Sequence, residues 1–347
     1  MLSLGRLITN SKTTDMATFI FGFIFGILLQ TARLNRFDTI SGMATLENFK
    51  VAKAIALAIG VGVVILNIEI GMGLATYHIK PILVGGIVLG GLVFGAGMAI
   101  LGYCPGTVMV SAGEGSLDAL IGILGGLAGG VVYTLALPSF KGILGPDLGS
   151  HSLFTALGSS SGLFYTLVVL SGLAFILAAF AIQRYDKSKD KTWIFAGTGI
   201  ALLNSFVFYY ADRPIGASTF FPFVADNIFG ATANEYFKKI SESGRWEVIF
   251  MAGTLLSGLL YSLLRKEFKI RLIHDNWEKY KGNNYGKRSL WAFAGGFILI
   301  FGARMAGGCT SGHVISGGMQ LAASSLIFAV FVFAGLLLTG RLFYARK

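Results

Sequence analysis

Long apolar stretches alternate along this chain with short polar segments. Several stretches reach the roughly 20 residues that a helix needs to cross a bilayer, and only 13% of the 347 residues are charged, against roughly 25% in an average soluble domain. We predict nine spanning helices, near residues 16–34, 51–75, 81–101, 117–137, 161–183, 193–210, 247–264, 290–306 and 319–340. The pattern therefore predicts an all-α polytopic membrane protein with the lipid bilayer as its first partner.

The basic residues predict an orientation. The formal net charge is +11, but most Lys and Arg lie in short loops, which is typical of positive-inside topology, so we expect no nucleic-acid partner. Residues 31–50, 184–192, 265–288 and 341–347 carry most of them. We therefore expect these segments on the cytoplasmic side of the plasma (inner) membrane, with the C-terminus cytoplasmic and the N-terminus outside.

The two halves of the chain contain a weak internal repeat. With an offset of 205, five positions coincide: Gly97, Gly102, Cys104, Ser111 and Gly113 fall on Gly302, Gly307, Cys309, Ser316 and Gly318. This predicts a first repeat of four spans (1–140), a connector with one span (141–192) and a second repeat of four spans (193–347), turned upside down. Inverted repeats with short re-entrant helices favour a transporter or a channel, although duplication alone can also stabilise a symmetric bundle.

Both cysteines lie where a continuous helix is disfavoured. Pro105 and Gly106 follow Cys104, and two glycines precede Cys309; proline removes a backbone donor and glycine tolerates positive φ. Such breaks expose backbone N–H groups suited to an anion. A cysteine in apolar surroundings remains a neutral thiol and a weak S–H donor.

The candidate binding residues are those around the two breaks. They are Cys104, Gly106, Thr107, Arg304, Gly308, Cys309, Ser311 and His313. A lone buried cysteine often only fills space, but two cysteines at repeat-equivalent breaks favour a role in function. Arg304 and His313 are ionisable groups near membrane depth, and anchoring a loop or capping a helix is the alternative role for each.

Other chemistries have no signal in the chain. Neither cysteine has a metal-ligand spacing, and there is no Walker loop, dinucleotide fingerprint, HExxH or nucleophile elbow in a suitable context. We therefore expect no metal, no cofactor and no enzymatic activity.

The segments Gly102–Gly106 and Gly307–His313 resemble the YeeE/YedE family of sulfur-transport membrane proteins. The nine spans, the inverted repeat and the Gly113-Glu114-Gly115 element are also similar to that family. The resemblance implies an inner-membrane importer of thiosulfate, with an hourglass shape and short re-entrant helices that meet at the centre. It also implies that Cys104 and Cys309 pass the anion between thiols through S–H hydrogen bonds, without covalent change, and that His313 matches the family histidine.

One position departs from the family pattern. A third family cysteine follows the first span, and Asn35 stands at that position here. An asparagine side chain can donate hydrogen bonds to an anion, so Asn35 is a further candidate binding residue. The departure leaves a related sulfur anion as an alternative substrate.

Two other classes of function remain open from the sequence. One is a membrane-embedded thiol protein that cycles the two cysteines through a disulfide or persulfide. The other is an anion channel, or a structural partner of another sulfur-handling protein such as a small cytoplasmic persulfide carrier.

Overall fold

The computed structural model describes residues 11–157, 162–186 and 188–345, and there the chain is helical, with only isolated β-bridges. The α-helices in chain order are α1 (Ser11–Thr31), α2 (Phe37–Ala44), α3 (Lys50–Gly71), α4 (Val84–Leu101), α5 (Pro105–Gly113), α6 (Leu117–Phe140), α7 (Leu153–Leu157), α8 (Gly162–Tyr185), α9 (Thr192–Ala211), α10 (Phe220–Ile228), α11 (Glu235–Leu264), α12 (Asp275–Lys281), α13 (Tyr285–Met305), α14 (Ser316–Met319) and α15 (Ala323–Phe343). A π-helical turn, Thr310–Ile315, precedes α14.

Nine helical segments in the described ranges are long and apolar enough to cross a membrane, which confirms the predicted number and the all-α membrane class. Two of the nine are interrupted near a cysteine. The first consists of α4 and α5, and the second of α13, the π-helical turn and α14. The protein is therefore a multi-pass membrane protein with two broken helices.

The hydropathy pattern places one helix start too late. The helix α11 begins at Glu235, whereas the pattern predicts its start near 247. Exposed Lys238 and Lys239 lower the mean hydropathy of the first turns, yet the side chain of Asn234 accepts a hydrogen bond from the Tyr236 N–H and caps the helix. The first position of the predicted span 161–183, together with residues 1–10 and 346–347, lies outside the described residues.

The centre of the bundle is a close antiparallel pair formed by α4 and α13. A Cβ atom on Gly97 would stand 2.3 Å from the backbone nitrogen of Leu299, and one on Gly90 would stand 2.7 Å from that of Ala306. Neither glycine could be larger without moving a helix. Small residues allow this approach of two backbones inside a membrane. The helix α4 ends at the break before Cys104, and α13 ends at the break before Cys309.

The same order of helices occurs twice in the described chain. A long helix, a short one, a long one, a broken one and a long one follow each other in α1–α6 and again, with α12 inserted, in α9–α15. The helix α1 contacts α11, α3 contacts α9, and α4 contacts α13. The first element of the second series is the sixth candidate span, so it would cross the membrane opposite to α1.

The polar segment between α11 and α13 packs on the bundle. The side chain of Trp277 on α12 is fully buried, with its ring beside Phe37 and Phe343 and the Arg288 guanidinium 4.7 Å from the ring centre. The helix α12 is therefore held by contacts with the rest of the protein.

Candidate functional site

Both cysteines stand at breaks of the same construction. Two residues before each cysteine is a glycine with positive φ, 82° at Gly102 and 74° at Gly307. Each cysteine is extended, with ψ of 168° at Cys104 and −173° at Cys309, and a short helical segment begins at the next residue. Each break therefore places a thiol beside the free backbone N–H groups of a helix start.

Cys104 is half-buried and caps α5. Its backbone N–H donates to Thr107 Oγ1 at 2.8 Å, and the same hydroxyl lies 3.3 Å from Cys104 Sγ. The backbone N–H of Thr107 also donates to this sulfur atom. Pro105 occupies the first helical position, where no N–H is needed. The sulfur atom is thus fixed at the N-terminal end of α5.

Cys309 is more deeply buried, with 1% of its surface exposed. Its sulfur atom lies 3.3 Å from Ser311 Oγ, and either atom can donate. The backbone N–H of His313 donates to the Cys309 carbonyl at 2.7 Å within the π-helical turn, a form that is frequent at functional sites.

One internal cavity of about 50 Å³ joins the two breaks. The first break contributes Cys104, Gly106 and Thr107 to its lining, and the second contributes Thr310 and Ser311 but not Cys309 itself. The remaining lining is apolar and includes Phe25, Ile55 and Val332. A cavity of this volume has room for only a few water-sized groups. An anion passing through it would lose most of its hydration shell and would meet the Cys104 thiol and a few hydroxyls in an otherwise apolar lining.

A lysine that the sequence analysis missed lies beside the second break. Lys80 Nζ donates to the Gly307 carbonyl, and a Cβ atom on Gly308 would stand 2.3 Å from Nζ and 3.1 Å from the Cβ of His313. Desolvation by burial, with the positive charge of Arg304 next, lowers the pKa of Lys80 to about 8. Its only sequence signal is its place directly before an apolar span.

His313 is fully buried, and one of its ring nitrogens has no hydrogen-bond partner among the described residues. Its Nδ1 lies 2.7 Å from Ser325 Oγ, and its ring stacks on Phe328 with centroids 4.6 Å apart. Its Nε2 is buried without a hydrogen-bond partner in the described part of the chain. Such a nitrogen is available to a ligand.

Arg304 is held by hydroxyl groups. Its Nε donates to the Tyr236 hydroxyl at 2.6 Å, and its Nη1 donates to the hydroxyls of Ser218 and Thr219 at 3.1 Å each. Across the described ranges, neither Arg304 nor Lys80 has a carboxylate within 4.0 Å. We name the group formed by Lys80, Arg304, Gly307, Gly308 and His313 the Lys80 mouth, because Gly307 is exposed there.

Asn35 lies away from the cavity between the breaks. It is fully buried; its Nδ2 donates to Ser111 Oγ at 3.2 Å, and its carbonyl accepts from the same hydroxyl at 2.6 Å. The repeat-equivalent Ser316 accepts from Asn204 Nδ2 at 3.0 Å. Asn35 therefore fixes the end of α5, while its Oδ1 has no partner among the described residues.

A buried ion pair stabilises the first break at the end of α4. Arg288 and Asp118 are both fully buried, with 2.5 Å between Nη2 and Oδ2, and Arg288 also donates to the Ile100 and Leu101 carbonyls at 3.2 and 2.7 Å. These carbonyls lack helical partners because α4 ends there. The pair joins positions 170 apart in the sequence, so a reading of local motifs had no signal for it.

A second cavity, which is polar and has a volume of about 290 Å³, lies at the C-terminal end of α5. Ser111 and Glu114 lie on its inner side, and Arg36 and Glu267 line it further out. Burial raises the pKa of Glu114, although the charge of Arg36 opposes the shift. We name this cavity the polar mouth. It is built from the segments that follow α1, α5 and α11.

Three features define a membrane transport protein: nine helical spans in the described residues, two cysteine breaks that share a cavity, and polar groups beyond each break, in the Lys80 mouth and the polar mouth. Residues 33–338 match the sulphur transport family, so the chain belongs to that family, and this confirms the family resemblance found at the two cysteine motifs. The chain is 26% identical over 331 residues to a protein of Spirochaeta thermophila named thiosulfate transporter TsuA; the match covers 90% of this chain and 94% of that relative.

Proposed function

We propose that this protein transports thiosulfate or a related small sulfur anion across the inner membrane, along a path from the Lys80 mouth past Cys309 and Cys104 to the polar mouth. The observation that carries the proposal is the cavity lined by residues of both cysteine breaks. The family membership and the name of the Spirochaeta thermophila relative support the same substrate class.

The proposed thiol mechanism is hydrogen bonding without covalent change. Each sulfur atom has a hydroxyl neighbour at 3.3 Å, Thr107 at Cys104 and Ser311 at Cys309. Each thiol could therefore accept from that hydroxyl while its own S–H donates to the anion. Apolar walls make the burial of a bare anion costly, so the anion is held weakly and can leave, as transport requires.

The Lys80 mouth is the proposed first binding step. Lys80 and Arg304 carry positive charge without a bonded carboxylate within the described chain, and His313 Nε2 is free to bond. The polar groups of this mouth offset the desolvation of the anion before it reaches Cys309. Asn35 would act later on the path, through the position of Ser111.

The orientation and the repeats remain proposals. We propose that residues 31–50 and 265–288 face the cytoplasm, because they are rich in Lys and Arg, and that the N-terminus lies outside. The repeats would be residues 1–140 and 193–347, with 141–192 as connector. The proposed further partner is a small persulfide carrier protein at the polar mouth, where the transported sulfur would be delivered.

The proposal is tested with purified protein reconstituted in liposomes. We expect saturable uptake of labelled thiosulfate, little competition by sulfate, and loss of uptake in the double variant Cys104→Ala, Cys309→Ala. Equal uptake by a correctly inserted double variant would contradict the thiol pathway. A redox-dependent change in mass of either cysteine during turnover would instead support covalent thiol chemistry.

A further inference from the structure

The polar mouth contains an ion-pair contact that has no counterpart among the described residues at the Lys80 mouth. Glu267 contacts two arginines of the segment after α1: its Oε2 lies 2.6 Å from Arg36 Nη2, and its Oε1 lies 3.4 Å from Arg33 Nη2. The side chain of Glu267 is about one third exposed. One carboxylate therefore pairs with both arginines at the edge of this cavity.

The lining of the polar mouth is balanced in charge. It holds four basic and four acidic side chains: Arg36, Lys266, Lys269 and Arg271, with Asp38, Glu114, Glu267 and Asp275. Glu114 Oε1 already accepts from Gln30 at 2.7 Å, which leaves Glu267 as the carboxylate bonded to Arg36. Among the described residues, Arg36 is paired with Glu267 and Arg271 with Asp275, whereas Lys266 and Lys269 have no carboxylate within 4.0 Å. An arriving anion can therefore reach Arg36 only in competition with Glu267.

Arg36 is the group for which the anion and Glu267 would compete. Its Nε is buried without a partner in the described part of the protein, so the guanidinium retains an unused donor for an anion. Ser111 lines the same cavity and lies on α5, the helix that begins after Cys104. An anion leaving Cys104 along α5 therefore reaches Arg36 while Glu267 is bound to it.

We propose that Glu267 is a release residue of the polar mouth: it holds Arg33 and Arg36 in the empty protein and competes with the sulfur anion for them, so that the anion is not retained there. The inference rests on the proposed transport function. A carboxylate beside an anion site repels the anion, and weak binding at the exit allows a transporter to turn over.

The test measures binding and transport separately in Glu267→Gln. Calorimetric titration with thiosulfate, at fixed ionic strength, should show about tenfold tighter binding, equivalent to about 1.4 kcal/mol. Release from thiosulfate-loaded liposomes should be slower than for the wild type. A role confined to stability would not tighten binding, so unchanged or weaker binding by folded Glu267→Gln overturns the inference.

The matched control is Glu47→Gln. Glu47 also pairs with a basic side chain, at 2.6 Å from Lys279 Nζ, but it does not line the polar mouth, so its loss should change neither binding nor release. If Glu267→Gln does not fold, the inference is tested with Arg36→Gln. Thiosulfate binding about tenfold weaker than that of the wild type supports the inference, and unchanged binding overturns it.

The experiment also separates this inference from the proposed function. A wild-type protein that transports thiosulfate, with unchanged binding in Glu267→Gln, overturns the release role alone. A wild-type protein that binds but does not transport thiosulfate overturns the proposed function, whereas tighter binding by Glu267→Gln would still support competition at Arg36.

Discussion

The two cysteine breaks share one backbone design but differ in how their charges are balanced. Behind Cys104, Arg288 holds the carbonyls at the end of α4 and is neutralised by Asp118, with both side chains fully buried. At Cys309, Lys80 holds the Gly307 carbonyl, and the described residues place no carboxylate within ion-pair distance of it. At the first break the charge of Arg288 is therefore neutralised by a direct ion pair, whereas at the second Glu247 acts on Lys80 and Arg304 only from beyond ion-pair distance.

This difference assigns different tasks to the two breaks. Asp118 pairs with Arg288 and also bonds the Tyr103 hydroxyl and His274 Nε2, so the role of this group is to hold the end of α4 and the position of Cys104. Lys80 and Arg304 can attract an anion, so the binding step belongs to the second break. Changes to the Asp118–Arg288 pair should mainly lower stability, and changes to Lys80 or Arg304 should mainly lower transport.

The largest expected effect is from Asp118→Asn. The substitution leaves the Arg288 guanidinium buried without its counter-charge, which costs about 3–5 kcal/mol of folding free energy. Thermal unfolding followed by fluorescence-detected gel filtration measures the loss. Asp275→Asn, which removes an exposed partner of Arg271, is the control and should unfold as the wild type does; an unaltered unfolding temperature for Asp118→Asn would contradict a structural role of the pair.

The two positive-φ glycines provide a matched pair of substitutions. A Cβ atom on Gly102 would stand 2.1 Å from the Phe37 ring, whereas one on Gly307 meets nothing within 4 Å. Gly307→Ala should cost about 1–2 kcal/mol from its backbone conformation alone. Gly102→Ala should cost more, because the ring must also move. Equal unfolding temperatures for the two variants would show that the breaks are not packed as described.

Substitution of Lys80 should affect transport more than stability. Lys80→Gln removes a charged donor to the anion, which is worth about 1.5–3 kcal/mol, so KM for uptake should rise at least about tenfold, and Lys80→Arg should retain most of the affinity. Kinetics of uptake into liposomes measure both variants. Wild-type KM in folded Lys80→Gln would exclude Lys80 from the binding step.

The same lysine predicts a pH dependence. The pKa of Lys80 is lowered to about 8, so the ammonium group is charged below that pH and neutral above it. The affinity for the anion should therefore be present at pH 7 and decline as the pH rises through about 8. Uptake by Lys80→Arg, whose side chain stays charged, should not show this decline; a parallel decline in both proteins would contradict the assignment.

The smallest expected effects concern the hydroxyl neighbours of the thiols. Thr107→Val removes the hydroxyl that accepts from the Cys104 N–H and should cost about 1 kcal/mol of stability, as the loss of a helix cap does. Ser311→Ala removes only the hydroxyl that lies 3.3 Å from Cys309 Sγ. It should therefore change uptake more than unfolding. If Ser311→Ala instead lowered the unfolding temperature more than Thr107→Val, and Thr107→Val lowered uptake more than Ser311→Ala, the tasks assigned to the two breaks would have to be exchanged.

The sequence alone determined the class of the protein and the position of its breaks. Apolar length fixes the number of spans because each helix must satisfy its own backbone in the bilayer, and the glycines before Cys104 and Cys309 mark where a helix cannot continue. These properties depend on neighbouring residues, so a local pattern contains them. The start of α11 was misplaced because hydropathy does not include the Asn234 cap.

Only the tertiary structure decided how charges and breaks meet. The pairs Arg288–Asp118 and Lys80–Gly307 join residues far apart in the sequence, and nothing local distinguishes a buried basic side chain from one in a loop. Asn35, a predicted binding residue, bonds to Ser111 because the turn after α1 packs on the end of α5. Which cation is neutralised depends on helix packing, and that packing sets the chemical difference between the two breaks.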